Sequence, residues 1–216
     1  MIISTTQELR LHIPSNAIDE ISSLQGILDN SEKDFLRDKL GCSLYDRLCE
    51  FYLTISPDDF YISVCNGEHT HHPWQRLLLY AQRMVVFDAI ARFAYQQAIS
   101  INGVGVNVAS SNDYDNVSKD LLDKGVQGYK REAMVSLNQL LVMLENWARR
   151  SENDETVKEI TQLWQESPYY FFHHDLLIPT AVMLQDFLDI YDSREKFIRL
   201  LPDLHYIQEE YIADAI

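Results

Sequence analysis

Trp74 to Ile101 is the most apolar part of the chain and the part that constrains its fold most. Leu77, Met84, Ala91 and Tyr95 recur at helical spacing, and further apolar residues widen their stripe into a broad arc. A helix apolar over that much of its circumference has to be covered on most sides, which predicts a long central helix over roughly Trp74–Ile99. Pro73 suits its first position, where a missing N–H costs nothing. The segment is not a membrane span, because Gln75, Arg76, Gln82, Arg83, Asp88, Arg92, Gln96 and Gln97 interrupt it. Asp88 projects onto the apolar arc, and Arg92 one turn later is the partner that a carboxylate in that position requires.

The rest of the chain also reads mainly at helical period. The predicted fold class is all-α (mainly α), a multi-helix bundle around the central helix, in one helical domain over 1–216. Gly at 7 and Pro at 6 in 216 residues are too sparse for a loop-rich β sandwich, and 46% hydrophobic residues exclude a disordered chain. Ile18, Ile21, Leu24, Ile27 and Leu28 form one stripe after a cap at Ser15 or Asn16. Ser31 to Asp34 starts a second helix, which carries Phe35, Leu36 and Leu40 and stops at Gly41. Leu44, Tyr45, Leu48, Phe51 and Tyr52 mark a third, closed by Pro57-Asp58-Asp59, and Tyr61 to Pro73 reads as a loop. After the central helix, Asn102-Gly103 is turn chemistry and Val104, Val106 and Val108 alternate with Gly and Asn, which predicts one short β-strand or hairpin near 103–109. A polar linker over Ser110–Asn116 leads to a helix strongest from Tyr129 to Arg150, and another lies near Glu155 to Gln165.

The two ends of the chain match in apolar spacing. With a shift of 175 to 176, Ile2-Ile3-Ser4-Thr5 falls on Leu177-Ile178-Pro179-Thr180, and Ile21, Leu24 and Leu28 fall on Phe197, Leu200 and Leu204. Phe35, Leu36 and Leu40 then fall on Tyr211, Ile212 and Ile216, so 1–41 and 176–216 read as a weak internal repeat.

No residue constellation names a reaction. A formal charge of −15 opposes sequence-specific nucleic-acid binding, which needs a local excess of Lys and Arg. Three cysteines without a Cys-x-x-Cys pair, and an N-terminus without a signal-peptide pattern, place the chain in the cytoplasm with no membrane association. Glu68-His69-Thr70-His71-His72 is the most suggestive run: His69, His71 and His72 are weak metal-ligand candidates, with His173-His174 as further donors, and the competing reading is a solvated loop. No HExxH, Cys/His finger, G-x-S-x-G or dinucleotide loop is present, so no cofactor is expected. Tyr169-Tyr170-Phe171-Phe172 is too apolar for a free loop and belongs either in the core or at a protein interface.

Several landmarks coincide in order: the opening Ile-Ile-Ser-Thr, Phe35-Leu36 leading to Leu40-Gly41-Cys42-Ser43-Leu44-Tyr45-Asp46-Arg47-Leu48, the long helix ending in Gly103-Val104-Gly105-Val106, Leu140-Leu141-Val142-Met143-Leu144-Glu145, and the run from Ser193-Arg194 through Tyr211-Ile212. In this order the chain resembles an uncharacterised family from phages and prophages of Bacteroidetes, whose members look like head–tail connector or head-completion proteins of tailed phages. The resemblance implies a non-enzymatic subunit that assembles with copies of itself, has portal or tail proteins as further partners and enters the virion; it carries no functional residues to transfer. The interface residues expected on that basis are Val104, Val106 and Val108, extended as a strand to a neighbour; Tyr169, Tyr170, Phe171 and Phe172 are interface candidates from their own apolarity, second to a place in the core. Two alternatives stand beside it: a partner-binding adaptor of a bacterial accessory system, and a metal-dependent hydrolase built on the His-rich run.

Overall fold

The segment after Tyr52 shows how local chemistry sets the elements. Pro57, read above as a terminator, opens a helix of its own. Ser56 is its N-cap and accepts from the Asp59 amide, Pro57 occupies the first turn, and Asp58 and Asp59 place negative charge at the positive end of the dipole. The helix, α5, runs Pro57–Asn66 and ends on Gly67, whose φ of 77° is the left-handed conformation of a helix C-cap. A 3-10 turn, Glu68–His71, follows, so most of the expected loop is helical.

The computed structural model describes residues 1–13, 21–97, 99–102, 105–108, 119–150, 154–172 and 175–212. In chain order the other helices are α1 (Thr6–His12), α2 (Gln25–Ser31), α3 (Arg37–Leu40), α4 (Cys42–Thr54), α6 (Pro73–Gln97), α7 (Lys119–Arg149), α8 (Glu155–Gln165), α9 (Ala181–Gln185) and α10 (Arg194–Ile207). Five-residue π-helical segments extend α2 (Glu32–Leu36) and α10 (Gln208–Ile212). The chain is mainly α. Strands β1 (Ile99–Asn102) and β2 (Gly105–Val108) pair antiparallel, with Ile101 opposite Val106 and Ile99 opposite Val108. The Ser15/Asn16 cap, Ile18, Gly103, Val104, the 110–116 linker, His173, His174 and Ile216 lie outside the described residues.

Where the periodicity reads as one domain over 1–216, the chain divides into two compact units: Met1–Asp38 with Tyr45–Leu137, and Lys39–Leu44 with Asn138–Ile216. In the first, α1 packs on α5 and α6, and α2 packs on α6. Helix α6 is buried on successive positions, Met84, Val85 and Val86 among them, so more than one of its faces is covered. Asp88 pairs with Arg92 at 2.7 Å, and Arg92 also reaches Asp34 at 3.1 Å. Phe51 stacks on Trp74 with ring centres 5.9 Å apart.

In the second unit Leu140, Leu141, Leu144, Ile160 and Trp164 are buried with Phe171 and Phe197. Phe171 meets Trp164 and Phe197 edge-on, at 5.3 and 6.0 Å between ring centres, and Tyr170 also sits edge-on to Trp164. Gly41, with φ 78°, brings the backbone against Ser167, whose hydroxyl donates to the Lys39 carbonyl at 2.8 Å. An added Cβ at Gly41 would lie 3.0 Å from Ser167 Cα.

Candidate functional site

Among the described residues the histidine run gathers no further ligands. His69 and His71 lie in the 3-10 turn, His72 ends it, and His71 and His72 are exposed. Among the described residues no group of three or more His, Cys, Asp or Glu side chains is placed to hold a metal ion. The aromatic run divides between the two places expected for it, core and surface. Phe171 is fully buried in the core of the second unit, and Tyr169 and Tyr170 are half-buried, Tyr169 under the Lys39 ammonium 4.3 Å from its ring. Phe171 is therefore a core residue, because its ring fills the space between Trp164 and Phe197. Val106 and Val108 lie in β2, paired to β1.

The densest polar chemistry lies where no site was expected, inside the first unit. Thr5 caps α1 in a capping box: its hydroxyl accepts from the Glu8 amide at 3.2 Å, and Glu8 reaches back to the Thr5 amide at 3.0 Å. Glu8 is fully buried. Its Oε2 also accepts from the Ser4 amide at 3.0 Å and from the Tyr52 hydroxyl at 2.8 Å, while its Oε1 accepts from Gln82 Nε2 at 2.9 Å. The same Gln82 nitrogen donates to the Ile2 carbonyl at 2.7 Å. One π-segment over, buried Glu32 accepts from the Ile2 amide at 3.0 Å and the Tyr45 hydroxyl at 2.8 Å, with Cys49 Sγ at 3.8 Å. Tyr45, Cys49 and Tyr52 recur one and two turns apart on α4, so a single helix face closes over both carboxylates.

Burial acts on the hydroxyl and thiol donors of this cluster in one direction. It pushes the Tyr45 and Tyr52 hydroxyls far above the usual phenol value, with the Glu32 and Glu8 carboxylates adding to the rise, and burial also pushes the Cys49 thiol up. These groups are protonated donors at neutral pH. Each carboxylate is held by several donors from its own unit, which suits a lock between α1, the π-segment, α4 and α6. The T-x-x-E pattern at Thr5 and Glu8 was the signal available for the start of this network; nothing in the spacing of Glu32 distinguished it from the chain's other acids.

His12 carries a pH consequence. Burial, with Arg83 nearby, lowers its pKa from 6.5 to about 4, against the opposing hydrogen bond to Gln82. Between those values the unfolded chain binds a proton that the folded chain refuses. Stability contributed here is intact above pH 6.5 and falls as pH drops through the window to about 4. His12→Gln should therefore lose less stability than the wild type between pH 7 and pH 4.5, by about 2 kcal/mol, in urea unfolding midpoints at the two pH values.

The second unit presents the opposite picture at its end. Leu177, Met183, Phe187, Tyr206, Ile207 and Tyr211 are exposed, among the exposed acids Asp175, Asp186, Asp203, Glu209 and Glu210.

The model of a family of unknown function, DUF6712, matches residues 36–155, more than half of the 216-residue chain. The chain belongs to DUF6712. The match spans α3 to α7 and leaves most of the two similar ends, and with them the exposed surface of the second unit, outside it. No curated protein and no solved structure matches this DUF6712 chain. Among the described residues no helix is long and apolar enough to cross a membrane.

Proposed function

We propose that this DUF6712 chain is a non-enzymatic structural subunit that works as a homo-oligomer, in the manner of the tailed-phage head–tail connector subunits it resembles. In this reading α6 is the central helix of a multi-helix bundle, and the chain acts in the cytoplasm of a host bacterium and enters the virion with portal or tail proteins as further partners. The observation that carries it is the contrast between the two kinds of chemistry. The buried carboxylates Glu8 and Glu32 are occupied by donors of their own unit, while large apolar side chains such as Leu177, Ile207 and Tyr211 face outward. Scaffold and docking surface account for both.

Light scattering on the purified full chain tests this. A mass that is a discrete multiple of the 25.2 kDa chain supports the reading. A chain that stays monomeric at every accessible concentration, alone and mixed with a portal or tail protein, contradicts it.

A further inference from the structure

The two ends of the chain share more than apolar spacing. Thr5 caps α1 by accepting from the amide three residues on, at 3.2 Å; Thr180, 175 residues later, caps α9 in the same way at 3.3 Å. The π-segments Glu32–Leu36 and Gln208–Ile212 are separated by a shift of 176. Ile2 donates its amide to the Glu32 side chain at 3.0 Å, and Leu177 donates its amide to the Gln208 side chain at 2.7 Å. A π-helical segment is rare, and the same cap and the same long-range hydrogen bond at matching positions make the described residues of 1–36 and 177–212 alike in these features.

The two ends differ in what covers them. In the first, Ile2, Glu8 and Ser31 are 0% exposed, and α4 reaches Glu8 through Tyr52 and Glu32, next to Ser31, through Tyr45 and Cys49. The matching residues of the second, Leu177, Met183 and Ile207, are 57%, 42% and 46% exposed. A face that is an interface with a helix at one end is open at the other. Its rim is acidic: from Leu201 to Tyr211 the chain carries Asp203, Glu209 and Glu210 and no Lys or Arg.

A complementary surface lies on the first unit. Leu121, Lys124, Gly128, Arg131 and Val135 follow a 3-4-3-4 spacing on α7, all exposed. From Lys124 to Arg131 this stretch has Lys124, Lys130 and Arg131 and no acid. Gly125 and Gly128 leave open space where a Cβ would stand, so a partner backbone can approach closely.

The geometry points to a second copy of this chain as the occupant: the acidic, apolar face of 177–211 in one copy docks on the basic α7 stripe of the next. This inference rests on the homo-oligomer reading above and names its interface. The two surfaces are different patches, so the contact is head-to-tail and propagates into a ring or a filament. The two faces bring Asp203, Glu209 and Glu210 against Lys124 and Arg131, and charge pairing of that kind fixes register and partner choice.

The test uses the full chain in sedimentation velocity, with Lys124→Glu/Arg131→Glu, Glu209→Lys/Glu210→Lys, and all four changes together. Every substituted residue is exposed, and circular dichroism checks that each variant is folded. Each charge-reversed pair should weaken self-association by about tenfold or more, and the four-fold variant should recover most of the loss, because opposite charges meet again. Wild-type chain that assembles while both reversed pairs assemble equally well overturns the assigned interface and leaves the homo-oligomer reading standing. Wild-type chain that never assembles contradicts both.

Discussion

Arg194→Met is expected to cost about 3–5 kcal/mol of stability, because it leaves a carboxylate buried without its counter-charge. Arg194 Nε and Nη2 both lie 2.9 Å from Glu145 Oε2, and the two side chains are 5% and 2% exposed. Among the described residues Glu145 Oε1 has no hydrogen-bond partner, so the guanidinium is the principal compensation for that charge. The position of Arg194 is set by the turn before it. Tyr191 and Asp192 adopt φ of 56° and 54°, a conformation that L residues avoid, and the turn is held by Gln185 Oε1, which accepts from the Ile190 and Asp192 amides. Asn138 completes it by accepting from the Arg194 amide at 2.9 Å and donating to the Asp192 carbonyl at 3.2 Å. Removing both charges with Arg194→Met and Glu145→Leu should return most of the lost stability, since the pair itself contributes little beyond cancelling its own desolvation. Urea unfolding of both variants decides it: a single variant within about 1 kcal/mol of wild type, or a double variant no better than the single, contradicts the role given to this pair.

Gln82→Leu should cost about 3 kcal/mol, for a related reason in the first unit. Its amide nitrogen donates to both Glu8 Oε1 and the Ile2 carbonyl, and Leu fills nearly the same volume with no donor. The two acceptors are then left in a dry interior, at about 1–3 kcal/mol each. Tyr52 and Thr5 still hold Glu8 Oε2, so the loss should remain below that of deleting the carboxylate's whole shell. A melting temperature unchanged in Gln82→Leu would show that the network does not bind α1 to α6.

How much of this was readable beforehand follows from which forces repeat along a sequence. Helices α4, α6 and α8 were readable because a 3.6-residue apolar period survives in any context, and the Asp88–Arg92 pair because i,i+4 neighbours meet on any helix. Pro57 was misread because the same residue that ends one helix can open the next, and Ser56 with two following acids was the stronger signal. The buried acids were not readable. Glu8 and Glu32 are two of 33 Asp and Glu, and only tertiary folding brings Gln82, Tyr45 and Tyr52 to them. The likeness of the two ends was visible as apolar spacing, but the bonds Ile2–Glu32 and Leu177–Gln208 span about thirty residues and leave no local trace. The aromatic run at 169–172 showed that burial was needed; whether core or partner supplies it depends on Trp164 and Phe197, which lie far apart in sequence.

Hydrogen–deuterium exchange of the full chain, dilute and at concentrations where it associates, tests the account at its centre. Amides of 203–211 should slow on association while those of 1–13, already closed beneath α4, stay unchanged. Exchange across 203–211 that is indifferent to association would show that this surface is not what the chain uses to meet its neighbours.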